Sequence, residues 1–191
     1  AETFTGGDWA VHLRGRIFST DGFRLVAPER RGTIDIPAWS RHRWLSAGWS
    51  HSFGAKLQLA VNVRGFEEKR GNGTPYQQNS SDEKFLSLHA SGELTPNFSW
   101  TAIGYGQDQS FASTFSSVNA TRTAETPASD QFDVPSEAYG GAWTGIWRSE
   151  MAGHKTRTSF GVDGRRVTGE TRENFTFTAG FDREQSDFYN L

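Results

Sequence analysis

Apolar and polar residues alternate with a period of two along most of this chain. In residues 8–20, Trp9, Val11, Leu13, Gly15 and Ile17 share one side, and Ala10, His12, Arg14, Arg16 and Phe18 share the other. That is the pattern of a strand with one apolar face. It returns most clearly in residues 56–69, where Leu57, Leu59, Val61 and Val63 alternate with Lys56, Gln58, Asn62 and Arg64. Further strands are predicted over 39–52, 83–93, 98–109, 138–148 and 155–171, with a less regular eighth over 174–188. In 138–148, Tyr139, Trp143 and Trp147 fall on one face, with Ala142 and Ile146 on the other.

The connections between these strands alternate in length. Long polar loops are predicted at 21–38, 71–82 and 110–137, and tight turns at 52–55, 94–97 and 149–153. In an up-and-down β-structure, successive connections lie at opposite ends. One end would therefore carry short turns and the other long loops, as in outer-membrane barrels. The five outward positions from Trp9 to Ile17 span about 26 Å at about 3.3 Å per residue, close to the apolar band of such a barrel. Trp9, Trp49, Trp100 and Trp147 fall toward the tight-turn end, and Trp39 and Trp44 toward the long-loop end. Those are the levels at which interfacial aromatic girdles sit.

Composition supports a wall with a single apolar face. Only 35% of the residues are hydrophobic, below the usual share for a compact soluble domain, yet 14% are aromatic, more than a disordered chain carries. No run approaches the roughly 18 apolar residues of a membrane helix, so a membrane role requires a barrel. The net charge of −2, with basic residues spread along the chain, gives no electrostatic case for nucleic acid. There is no cysteine, and His12, His42, His51, His89 and His154 match no metal-ligand spacing. Gly71-Asn72-Gly73 reads as a turn, and the acidic pairs Glu67-Glu68 and Asp82-Glu83 as solvated loop charges. No nucleophile and base stand at a recognisable spacing, so the chain is expected not to be an enzyme and to hold no cofactor or metal. Ala1-Glu2-Thr3-Phe4 has neither the basic nor the apolar region of a signal peptide. The expectation is that a leader has been removed or that the chain is an internal piece.

Three stretches carry a family resemblance: 18–26 with 36–40 (Ile-Pro-Ala-Trp-Ser), 68–77 (Glu-Lys-Arg-Gly-Asn-Gly-Thr-Pro-Tyr-Gln), and 109–119 running through 122–129. They resemble the barrel of TonB-dependent receptors of Gram-negative bacteria, particularly of alphaproteobacteria. The third stretch is the most specific and is similar to a long extracellular loop of that family. The resemblance implies an N-terminal plug and a 22-stranded barrel. This chain has room for about seven or eight antiparallel transmembrane strands. It shows no plug, no energy-coupling box and no terminal phenylalanine, so residues 1–191 read as one barrel segment. The resemblance also implies an outer-membrane location, contact with lipid, and coupling to TonB through the missing plug region. The ligand would be a scarce nutrient such as a ferric siderophore, another metal chelate or a cobalamin-like molecule.

The long loops would then form the ligand mouth. Arg24, Arg70 and Arg122 can pair with an anionic ligand, and Trp39, Tyr76, Phe111 and Phe115 can stack on it. Two other readings fit the pattern. One is a complete eight-stranded outer-membrane barrel with a structural or adhesion role, in which the first and last strands pair. The other is a soluble β-sandwich that binds glycans on Trp39 and Tyr76.

Overall fold

The computed structural model describes residues 1–54, 56–175, 179–184 and 188–190, the last two segments by their backbone. All strands belong to one antiparallel sheet. They are β1 (Glu2–Gly6), β2 (Trp9–Phe23), β3 (Ala38–Ser52), β4 (Gln58–Gly71), β5 (Gln78–Thr95), β6 (Phe98–Val118), β7 (Glu125–Met151), β8 (His154–Phe175), β9 (Ala179–Glu184) and β10 (Phe188–Asn190). The order in the sheet is the order in the chain, and β9 and β10 both pair with β8. No pairing among the described residues joins β1 to the last strands, so the sheet is open. Among the described residues, strands touch only their sheet neighbours and no second sheet lies across the first. The described residues therefore form one layer and not a two-sheet sandwich.

Register explains the period-two pattern. Val11 faces Trp49, Trp49 faces Val61, and Val61 faces Leu88. Side chains opposite each other in an antiparallel pair lie on the same face, so these residues build one apolar surface. The other face carries His12, Gly48, Asn62, Ser87 and Tyr105 at the matching level.

Nothing among the described residues packs over the apolar face. Among the described residues no hydrophobic side chain is buried. Leu45 is 64% exposed, Leu88 53% and Ile17 88%, while the polar-face neighbours Ser46 and Ser87 are half-buried.

The apolar band runs obliquely across the strands. On β2 it occupies Trp9 to Ile17; on β7 it occupies Tyr139 to Trp147. Hydrogen-bonded register connects Trp9, at the bottom of the first stretch, with Trp143, at the middle of the second. The band has thus slid about four residues, or about 13 Å, over a lateral distance of about 24 Å. Beyond it the same face turns charged: the level of Ile17 holds Arg43, Glu67 and Asp82 on the next strands.

The tight turns are where the pattern places them. Met151 pairs with His154 across Ala152 and Gly153, both at positive φ (50° and 78°), the geometry of a two-residue hairpin turn. Ala55, in the predicted turn 52–55, lies outside the described residues.

Several expectations need correction. Residues 2–6 form a strand, β1, that hairpins onto β2 through Gly7, at φ 54°. The loop expected at 110–137 is mostly strand: β6 and β7 stay paired up to Val118 and Glu125, leaving a tip of residues 119–124. The loop expected at 71–82 shrinks to 72–77, and that at 21–38 to 24–37 with one 3-10 turn at Pro28–Arg30. Both faces of this hairpin carry polar, mostly half-buried residues. Its strands therefore need no apolar alternation and read as polar loop. Trp44 lies on the polar face opposite Arg16, not in the apolar band. Of the strand expected over 174–188, Asn174 and Phe175 belong to β8, 179–184 form β9 and Phe188 opens β10, and residues 176–178 and 185–187 lie outside the described residues.

One further feature is a level without side chains. Gly104, Gly141 and Gly164 stand in direct register across β6, β7 and β8.

Candidate functional site

The end opposite the tight turns holds three segments: 24–37, 72–77 and the hairpin tip 119–124. The β6–β7 extension rises above the neighbouring strands, and the other two segments dock on its side.

The first docking point is Asp35, a buried carboxylate 5% exposed. The Arg122 guanidinium donates to both of its oxygens, from Nε at 2.9 Å to each and from Nη2 at 2.5 Å to Oδ1. The Gly32 N–H donates to Oδ2 at 2.7 Å. Arg122 holds the Asp35 carboxyl at about 2, well below the usual carboxylate range; burial opposes this, and the Gly32 N–H reinforces it. The same pairing raises Arg122. The Ile34 N–H reaches the Arg122 carbonyl at 3.3 Å, and Arg24 Nε donates to the Asp35 carbonyl at 3.0 Å. Gly32 permits this approach, since a Cβ there would lie 1.9 Å from the Arg122 carbonyl oxygen.

Arg122 itself takes a left-handed conformation, φ 54°, at the hairpin tip. Asn119 closes the tip by accepting the Thr123 and Ala124 N–H groups on Oδ1, at 2.8 and 3.2 Å.

The second docking point is Glu125. It accepts the Tyr76 N–H at 2.8 Å and the Ser116 hydroxyl at 2.8 Å. Burial pushes Glu125 up, but the hydroxyls of Thr74 and Ser116 and the Tyr76 N–H outweigh it, and its pKa is lowered. Tyr76 is raised by burial and by the nearby Asp130 and Glu125 carboxylates. Gln77 Nε2 donates to Ser116 Oγ at 3.0 Å, and the Thr114 hydroxyl donates to the Tyr76 carbonyl. Segments 24–37 and 72–77 also touch each other, through the Ile36 N–H and the Gly73 carbonyl at 3.0 Å.

Of the seven residues singled out from the sequence, Arg24 and Arg122 meet on Asp35, and Tyr76 docks through its backbone on Glu125. Trp39 is elsewhere. It covers Gly71 at the top of the apolar face, with the Arg41 guanidinium 5.4 Å from its ring centre. Arg70 is on the polar face, 4.0 Å from Glu68. Phe111 and Phe115 lie on that polar face along β6; Phe111 pairs with Ser81 and Val134, and Phe115, 44% exposed, with Ser129. The structure thus gathers three of the seven and distributes four over both faces.

Asp35, Glu125, Gly32 and Thr114 hold the cluster and carry no signal in the sequence. Asp35 and Arg122 are 87 positions apart, and nothing local marks them as partners. Two of the histidines have structural surroundings: His42 stacks on Phe18 at 4.8 Å, and His51 packs edge-on to Phe53 at 4.2 Å. Among the described residues, no group of three or more His, Cys, Asp or Glu could hold a metal ion.

No family model, curated protein or solved structure matches the chain.

Proposed function

We propose that this chain is a section of the wall of a TonB-dependent outer-membrane receptor. The observation that carries the reading is the uncovered apolar face: Leu13, Ile17, Leu45, Val63 and Leu88 stand exposed on it, and no hydrophobic side chain among the described residues is buried. Such a surface is stable when hydrocarbon replaces water against it. Two further features agree. The oblique band corresponds to strands tilted by roughly 30° to its axis, near the tilt of membrane barrels. Among the described residues β1 and β10 each pair with one strand only, and lipid tolerates such sheet edges only when further strands pair with them. That requirement favours a larger barrel over a self-contained one.

In this reading Trp9, Trp49, Trp100 and Trp147 mark one membrane interface and Trp39 the other. The docked segments 24–37, 72–77 and 119–124 form part of the extracellular mouth, held in place by Asp35 and Glu125. The mouth takes a scarce nutrient such as a metal chelate or cobalamin-like molecule. Import is coupled to TonB through a plug that this sequence does not contain. The chain performs no chemistry on what it carries.

Single cysteines at Leu45, Val63 and Leu88, and at Ser46, Asn62 and Ser87, test the orientation in the full-length receptor in bacterial outer membranes. The first set is expected to be protected from a water-soluble maleimide and the second to react. TonB-dependent uptake by the same cells tests the transport role. Recovery of the protein in a soluble fraction, or labelling without a period of two, would overturn the reading.

A further inference from the structure

The polar face carries a cluster that loop docking does not use. Arg14, Ser46 and Arg64 stand in direct register on β2, β3 and β4, so the two arginines flank the serine about 10 Å apart at Cα. One level toward the loops, Trp44 and Phe66 are register partners, and Glu83 follows on β5. These six residues line one cavity of about 450 Å³.

The two guanidiniums differ. Arg64 is held by the Glu83 carboxylate and lies over the Phe85 ring at 5.3 Å. Arg14 makes no ion pair or hydrogen bond among the described residues. Arg16, two residues on, stacks on Phe18 at 5.1 Å. Arg14 and Arg64 thus flank the two rings, with Arg16 the register partner of Trp44, and Glu83 is the carboxylate that lines the cavity. A planar guanidinium fork suits a carboxylate, and the Trp44 and Phe66 rings suit a flat apolar body beside it.

We propose that this cavity is a binding site for a small molecule bearing a carboxylate on a flat, aromatic body. The carboxylate is received by Arg14 with help from Arg64 and the Ser46 hydroxyl, and the body rests on Trp44 and Phe66. The site rests on the geometry of the polar face alone and goes beyond the receptor reading. It lies in the wall, away from the docked mouth segments.

The test uses the full-length protein purified in a non-ionic detergent, with benzoate as probe and benzamide as its uncharged control. Binding is followed by saturation-transfer NMR as a function of probe concentration. Benzoate is expected to bind saturably and benzamide not. Arg14→Gln is expected to weaken benzoate at least tenfold, and Arg14→Lys, which keeps the charge without the fork, to weaken it less. Glu83→Gln, which removes the competing negative charge, is expected to tighten it. Arg157→Gln, near the tight turns, is expected to change nothing. Circular dichroism and heat-modifiable mobility verify that each variant is folded. Absent saturable benzoate binding, equal binding of benzamide, or equal effects of Arg14→Gln and Arg157→Gln would overturn the proposal.

Discussion

Replacing Val61 with Arg tests the face assignment most directly. Val61 lies between Trp49 and Leu88 in the apolar face, and its neighbour Asn62 lies between Gly48 and Ser87 in the polar one. The outward residues Leu59, Val61 and Val63 of β4 span about 13 Å at about 3.3 Å per residue, which places Val61 at their centre. An arginine at that depth is expected to cost about 2–4 kcal/mol, the range for a cation near the midplane of a barrel. Arg at Asn62 enters a polar, half-buried surface where long side chains can reach water, and the expected cost is below about 1 kcal/mol. The assay is a denaturant titration of folding into lipid vesicles, read by tryptophan fluorescence and heat-modifiable mobility. Equal losses at the two positions would refute the face assignment. A larger loss at Asn62 would invert it.

Four further outcomes are expected. Because Asp35 is held near pH 2 in the folded chain against 3.8 ordinarily, its contribution to docking is complete above pH 4 and is lost as pH falls through about 2; limited pepsin digestion should begin to cut residues 24–37 only toward pH 2, and cleavage already at pH 4 would count against the clamp. Gly32→Ala places a methyl group against the Arg122 carbonyl and is expected to expose the same segment to proteases at neutral pH, with the strands still folded. Excising residues 114–130 and joining Ser113 to Gln131 by a tight turn should leave the heat-modifiable barrel intact, since those two residues already pair, while abolishing ligand uptake by the full-length receptor; uptake at the wild-type rate would remove the mouth from the mechanism. Assays on a broad substrate panel should find no hydrolytic or redox turnover that a single substitution abolishes.

The parts of the fold legible in the sequence are those where two environments meet across one strand. Leu57 to Val63 and Trp9 to Ile17 alternate because one side faces water or polar neighbours and the other does not, so their strands and faces can be read directly. The signal fades where both sides are alike. Residues 110–118 and 125–137 are paired strand, yet their serines, threonines and acids read as loop because nothing apolar needs a face there. Trp44 misleads for the opposite reason: its level suits an interfacial indole, but parity with Arg16 places it on the polar side. The docking cluster was half legible. Arg24, Arg122 and Tyr76 stand out as loop residues able to bind, but their partners Asp35 and Glu125 are ordinary loop acids until the chain brings them together.

The level of glycines at Gly104, Gly141 and Gly164 has a mechanical consequence. Side chains stiffen a sheet by packing against their cross-strand neighbours, and a glycine in a strand removes that bracing and permits a sharp bend. Here three adjacent strands lose it at the same height, so the weak points line up into a crease running across β6, β7 and β8. Above the crease stands the tall β6–β7 extension with segments 24–37 and 72–77 fastened to it by Asp35 and Glu125. A small change of angle at the crease is therefore multiplied by the length of the extension. Segments 24–37 and 72–77 are rooted in β2–β5, off the crease, so flexure of β6–β8 would pull on the two clamps at Asp35 and Glu125.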